Sequence, residues 1–450
     1  MRLRGILFVC AGLFIFTHSA AAGMTHDERK QLRTEEQPFR LPAVEELPVP
    51  VTLDDAVAFG LRGNDGLKAA FYRWKAAAKM ITKEQSLDDP AFAVKTFIQE
   101  IETRLGPQKQ MYSVSQKIPF PGKLLLKGQI ATEKAREDYA AFQKKKLQLM
   151  ADITVAYTEY WYIENSIRTY TEIQALLEQF ENVAQEKFKS GMARNQDLLK
   201  AQIELGLTAN QVLSLTDQAR PLRAKLNRLL GRPYDAPVTV SADLPHTMVD
   251  ISDEQALARQ ADERNPDLMR ATHAVRENEK RVQLARLKFL PDVMIGVDYT
   301  SIGKAPMPVD NSGNDAVALS VKVNVPLWFW KQASELASAR AARTAAAAAS
   351  GQARRDAETL LQTACYDIRN AERNINLYDD ALVPKVEQTL QATQTAYRSG
   401  TDDFLSLLDA ERQLLQFRLM SLQAAKNYEQ ATAALAVVIG GPLANKEGAA

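Results

Sequence analysis

Phe188-Lys189-Ser190-Gly191 closes a run without proline that begins at Lys123, and 209 residues further on the chain repeats it as Tyr397-Arg398-Ser399-Gly400. The register holds over a long stretch without a gap. Tyr157 pairs with Tyr366, Leu198-Leu199 with Leu407-Leu408, Ala201 with Ala410, and Gly231-Arg232-Pro233 with Gly440-Gly441-Pro442. A fixed offset sustained in this way marks an internal duplication. The starts of the halves also correspond: Leu53-Asp54-Asp55-Ala56 through Asn64-Asp65-Gly66-Leu67 answers Ser252-Asp253-Glu254-Gln255-Ala256 through Asn265-Pro266-Asp267-Leu268. That offset is slightly smaller, so the halves differ in the segment between.

Within each half the apolar spacing changes period. Leu149, Ile153, Ala156, Tyr160, Ile163, Ile167 and Tyr170 step by four and three in alternation, the spacing of a coiled-coil seam. A helix over the whole proline-free run would be roughly 100 Å long at 1.5 Å per residue. The returning segments carry the same seam: Leu205, Thr208, Val212, Leu215, Ala219, Leu222, Leu226 and Leu229, then Leu414, Phe417, Ser421, Ala424, Tyr428, Ala431, Leu435 and Val438. A seven-residue repeat makes helices wrap left-handedly. Pro221 and Pro384 fall inside helical pattern, where a proline either kinks or loosens the helix or is tolerated at its surface.

Between the helical runs the period is two. Val293, Ile295, Val297 and Tyr299 alternate with Met294, Gly296, Asp298 and Thr300; Val317, Leu319, Val321, Val323 and Val325 alternate with Ala318, Ser320, Lys322 and Asn324. The first half repeats this less cleanly around Phe92, Val94 and Thr96, then Tyr112, Val114 and Ile118. Each run has the length that a tilted barrel strand needs to cross a bilayer. A soluble sheet with one wet face fits the same alternation. Four strands cannot close a membrane barrel, whereas three chains giving four each can.

The N-terminus reads Arg2, Arg4, an apolar run from Ile6 to Phe16, then His18-Ser19-Ala20-Ala21-Ala22, which suits an export signal cleaved after Ala22. No later stretch has about 18 consecutive apolar residues, so an integral mature protein would have to cross as a β-barrel. Cys10 lies in that signal and Cys365 stands alone, which leaves no disulfide framework. Val9 precedes Cys10 where a lipoprotein signal needs a small residue. With 56 Lys+Arg against 55 Asp+Glu the chain has no basic excess for nucleic acid. His18, His26, His246 and His273 are scattered and form no ligand pair at helical spacing, so neither a metal site nor an enzyme constellation is expected, and no cofactor is implied.

The domain reading follows. Residues 1–22 are the signal peptide and 23–50 a leader. The first repeat is 51–233, with strands about 91–100 and 110–119 and a tip near 191. Residues 234–250 link it to the second repeat, 251–442, with strands about 292–301 and 316–326 and a tip near 400, before a C-terminal tail at 443–450.

This order of signal, duplicated helix–strand–strand–helix unit and heptad helices resembles the TolC-like outer-membrane factor family, also described as outer membrane efflux proteins, over nearly all of the mature chain. Gln116-Lys117-Ile118-Pro119-Phe120-Pro121-Gly122-Lys123-Leu124 looks like the family's strand-to-helix junction, with Val325-Pro326-Leu327 its counterpart. The Pro119–Leu124 stretch is similar to members serving heavy-metal efflux, although no His- or Met-rich segment accompanies it. The resemblance implies a mainly α fold with a membrane β-barrel: a homotrimer whose twelve strands form one outer-membrane barrel, continued by a coiled-coil helical tunnel in the periplasm. It implies outer-membrane lipid, a periplasmic adaptor and an inner-membrane transporter, often of the resistance–nodulation–division type, as partners. Gly191, Met192, Gly400 and Thr401 then mark the adaptor-docking tips, Asp197 and Asp409 an acidic constriction, and Lys322 and Asn324 the barrel lumen. The sequence departs from better-known members at Ser406, where they carry an Asp, and at Asp402, where they carry a gating Arg. Two other readings stay open: a periplasmic coiled-coil adaptor or scaffold, and the exit duct of a type I protein secretion system.

Overall fold

A computed structural model describes residues 25–40, 46–191, 194–244 and 248–444. The expected signal peptide, Met192 and His246 lie outside them. In chain order the elements are α1 (His26–Arg40), α2 (Leu53–Gly63), α3 (Asp65–Gln85), β1 (Ala91–Ile101), β2 (Gln108–Ile118), α4 (Lys123–Lys189) and α5 (Asn195–Leu230). The same series then recurs as α6 (Glu254–Arg264), α7 (Pro266–Leu287), β3 (Asp292–Ile302), β4 (Ala316–Asn324), α8 (Phe329–Ile375), a π-helical segment Asn376–Leu382, α9 (Val383–Ser399) and α10 (Phe404–Ile439).

The chain divides into two compact units. One comprises the described part of Met1–Thr34, with Tyr72–Tyr139 and Arg270–Gly351. It holds a four-stranded antiparallel sheet in the order β1-β2-β3-β4. Because residues opposite one another in a ladder share a face, the register sorts the side chains into two surfaces. Phe92, Val114, Val297 and Leu319 form one row, followed by Val94, Tyr112, Tyr299 and Val317 on the same surface. Alternating with these rows, on the other surface, run Ala91, Ser115, Gly296 and Ser320, then Ala93, Ser113, Asp298 and Ala318. Where β2 ends, Gly122 turns the chain with φ +93° and Lys123 folds inward. Its ammonium donates to Leu290 O at 2.8 Å and to Asp292 Oδ1 at 2.7 Å, and the same oxygen accepts from Phe120 N at 2.9 Å. The Pro-Phe-Pro-Gly-Lys motif is therefore a clamp joining the end of β2 to the start of β3.

The other unit comprises Glu35–Phe71, Ala140–Met269 and the described part of Gln352–Ala450. The coiled-coil seam is its interior. Leu149, Ile153, Ala156, Tyr160 and Ile163 are buried, as are Thr208, Leu215 and Leu226 on α5 and Leu414, Tyr428 and Leu435 on α10. The duplication is visible in equivalent contacts. Asn64 Nδ2 donates to Leu229 O at 3.0 Å, and Asn265 Nδ2 to Val438 O at 2.7 Å. Gly231 (φ +72°) and Gly440 (φ +77°) end α5 and α10, and a Cβ there would stand 2.4 Å from Gly63 O or 2.2 Å from Arg264 O. Glycine is thus required twice over, by φ and by the close approach of backbone.

Three features depart from the sequence reading or refine it. The leader contains helix α1, started by a reciprocal cap in which Thr25 N donates to Glu28 Oε2 at 2.9 Å and Glu28 N to Thr25 Oγ1 at 3.2 Å. The linker is packed as well as connecting: Val240 bridges Val51, and Trp161 Nε1 donates to Ala242 O at 3.1 Å. The two prolines behave differently. Pro221 sits inside α5 without breaking it, whereas Pro384 follows directly on the π-helical segment. Pro384 has no N–H for the carbonyl of Asp380, and the widened turn lies where that α-helical bond is missing.

Candidate functional site

Two places carry chemistry, one in each unit. The first is the sheet. Its apolar surface is open: Val317 is 71% exposed, Leu319 73%, Val321 60% and Phe92 65%, and on the polar surface Ala93, Ala318, Lys322 and Asn324 are exposed as well. A soluble sheet hides its apolar face against a core, and among the described residues nothing covers this one. The strands are 11, 11, 11 and 9 residues long. β1 and β4 each have one unpaired edge. Lys322 and Asn324 lie on the polar surface, opposite Met294 and Asp292. Where β4 gives way to α8, Trp328, Phe329 and Trp330 are all exposed, the two indoles 5.2 Å apart.

The second place is the pair of helix ends at Lys189 and Ser399. Gly191 has φ +73° and Gly400 φ +83°, and a Cβ on either would meet nothing within 4 Å. Glycine is chosen here for its backbone freedom alone. At the second turn Thr401 N and Oγ1 both donate to Ala396 O, at 3.0 and 3.1 Å. Lys187 joins the two ends: its ammonium donates to Tyr397 O and stands 4.5 Å from the centre of the Tyr397 ring. That ring packs 5.4 Å from Phe404, over a buried layer that includes Phe180, Leu390, Leu407 and Leu414.

The acidic pair expected from the sequence does not share one environment. Asp197 lies half-buried in the first turn of α5. Burial and then the Asp197 charge push the Tyr397 hydroxyl up, and that hydroxyl is buried without a hydrogen-bond partner. Asp409 is exposed on α10, its carboxylate accepting from Gln413 Nε2 at 2.8 Å. Ser406 is taken up by the helix cap: its N and Oγ both donate to Asp403 Oδ1 at 2.9 Å. Asp402 accepts from Asp403 N at 2.8 Å. Lys187 and Tyr397 escaped the sequence reading. The signal was the repeat itself: Tyr397 stands where the first half has Phe188, and Phe188 is 44% exposed while Tyr397 is 4% exposed.

A profile of the family described as outer membrane efflux protein matches residues 257–441. Residues 257–441 are thus similar to that family. Outer membrane protein TolC of Vibrio cholerae serotype O1 is 23% identical over 297 residues, 63% of this chain and 66% of that one, so the match spans just under two thirds of the relative. Among solved structures, the outer-membrane channel OprN superposes with a TM-score of 0.71 at 20% identity, covering 90% of this chain and 91% of that one. CusC superposes with a TM-score of 0.73 at 16% identity, covering 87% and 92%. Over the 87–90% of its length that superposes, the chain shares the fold of these solved channels. OprN and CusC score so nearly alike that the fold points to no single branch of them.

Proposed function

We propose that this chain is the outer-membrane component of a tripartite efflux system, a passive exit duct without a catalytic step. Three copies close one barrel of twelve strands in the outer membrane, and their helices form a tunnel in the periplasm. A periplasmic adaptor docks on the turns at Gly191, Met192, Gly400 and Thr401 and couples the duct to an inner-membrane transporter of the resistance–nodulation–division type. The observation that carries this reading is the uncovered sheet: an open apolar surface on strands of bilayer length, with an open edge on each side. Lipid satisfies the surface, and neighbouring copies satisfy the edges. The exposed Trp328, Phe329 and Trp330 suit the bilayer interface, where amphipathic rings collect. The bands of Asp197 and Asp409 are assigned to the narrow end of the tunnel.

A coiled-coil adaptor or scaffold would share the helices and the export signal but has no use for such a sheet. The two readings separate on membrane fractionation. The duct sediments with outer membranes and resists carbonate extraction; release of the protein by carbonate would refute the barrel.

A further inference from the structure

On the polar surface of the sheet, one row differs from the rest. Lys117 of β2 and Lys322 of β4 stand directly opposite Met294 of β3, one on each side of it. The nearby acid does not neutralise this row. Asp292 already holds the buried Lys123 ammonium at 2.7 Å and the Phe120 amide at 2.9 Å, and it meets Lys117 only at 3.6 Å. Counting Lys117, Lys123 and Lys322 against Asp292 leaves two net positive charges per chain. The next acid on this surface of β3 is Asp298, four residues beyond Met294, or about 13 Å at the rise of a strand.

We propose that Lys117 and Lys322 form a cationic band around the barrel lumen that draws small anionic solutes, such as carboxylates, phosphates or sulfonates, into the barrel. The proposal rests on the exit-duct reading, which turns this surface toward the lumen. Three copies set six of these lysines at one level. Charges of one sign on the wall of a confined aqueous passage reinforce one another and raise the local concentration of counter-ions. Lys322 carries most of the effect, since Lys117 shares its charge with Asp292.

The band can be read without reference to the narrow end of the tunnel, by measuring the potential beside Met294. Met294→Cys places a thiol between the two lysines. Cys365, the thiol of the mature chain, is buried at 0% exposure and does not compete. The trimer carrying this substitution is treated in outer-membrane vesicles with an anionic and a cationic methanethiosulfonate of similar size, and the two rates are compared. Leu319→Cys on the apolar surface is the control. The anionic reagent is expected to react faster at Met294→Cys, and adding Lys322→Glu should move the rate ratio about tenfold toward the cationic reagent, given unit charges a few ångströms apart in screened water. Lys322→Gln should move it part of the way. A ratio that Lys322→Glu leaves unchanged overturns the cationic band while keeping the duct. A thiol at 294 that is inert to both reagents while the one at 319 reacts overturns the duct reading together with it, because the polar surface would then not face water.

Discussion

Glu411 is 2% exposed on α10, and burial, reinforced by the Glu204 charge and opposed by Arg412, pushes its carboxyl up to about 7 from an ordinary 4.5. The native state then holds a proton between pH 4.5 and about 7 that the unfolded chain has released. The associated stability is complete below 4.5 and is lost as pH rises to about 7, at most about 3 kcal/mol. Glu429, pushed up to about 7 by burial and Asp54, adds to the same trend. Glu411→Gln should therefore melt higher than the natural protein at pH 8 and show a smaller difference between pH 5 and pH 8, followed by helical circular dichroism. An unchanged difference would mean that the carboxyl is already ionised in the native state. The two aspartates differ at the same scale. If exposed Asp409 lines the aperture while Asp197 stays half-buried in the first turn of α5, trimers in planar bilayers should be cation-selective, and Asp409→Ala should weaken that selectivity more than Asp197→Ala. Equal and negligible effects would remove both from the channel wall. The sequence exposed Gly191 and Gly400 because a repeated glycine after a helix has a local cause, φ. It concealed Glu411, whose burial depends on how helices distant in sequence pack together.

Among elements, the strands and long helices were legible because each is written in a period. The alternation of Val317 to Asn324 and its partner run names both surfaces of the sheet, and the four-three stepping from Leu149 names the seam. What the runs could not reveal is whether the apolar surface is covered, since alternation is the same in a soluble sheet and in a barrel; Val317 and Leu319 are open, as a soluble sheet would not leave them. The π-helical turn at Asn376–Leu382 was equally hidden, because Pro384 marks the place without fixing the geometry. The Lys123–Asp292 clamp joins residues 169 positions apart and has no local signature. The helix ends make a prediction of their own. In Gly191→Val or Gly400→Val the added Cβ meets nothing within 4 Å, and the positive φ costs backbone strain of about 1–2 kcal/mol at the turn. Trimer yield should survive while export of a fluorescent efflux substrate from cells falls. Full export by the double variant would show that the turns are not where the adaptor docks.

At the scale of the whole molecule, duplication accounts for the repeated Asn and Gly contacts at the ends of α5 and α10, and those contacts hold each helix end to the end of the first helix of its own repeat. Both repeats contribute two strands, and four strands leave two open edges and an apolar surface without cover. Among the described residues nothing covers that surface or pairs those edges, and assembly of several copies would do both. Its most direct test is the mass of the folded protein extracted in mild detergent, by light scattering or native mass spectrometry, together with its strand content. Three chains per particle with the strands intact are expected; a stable single chain that retains its full strand content would contradict the trimeric barrel.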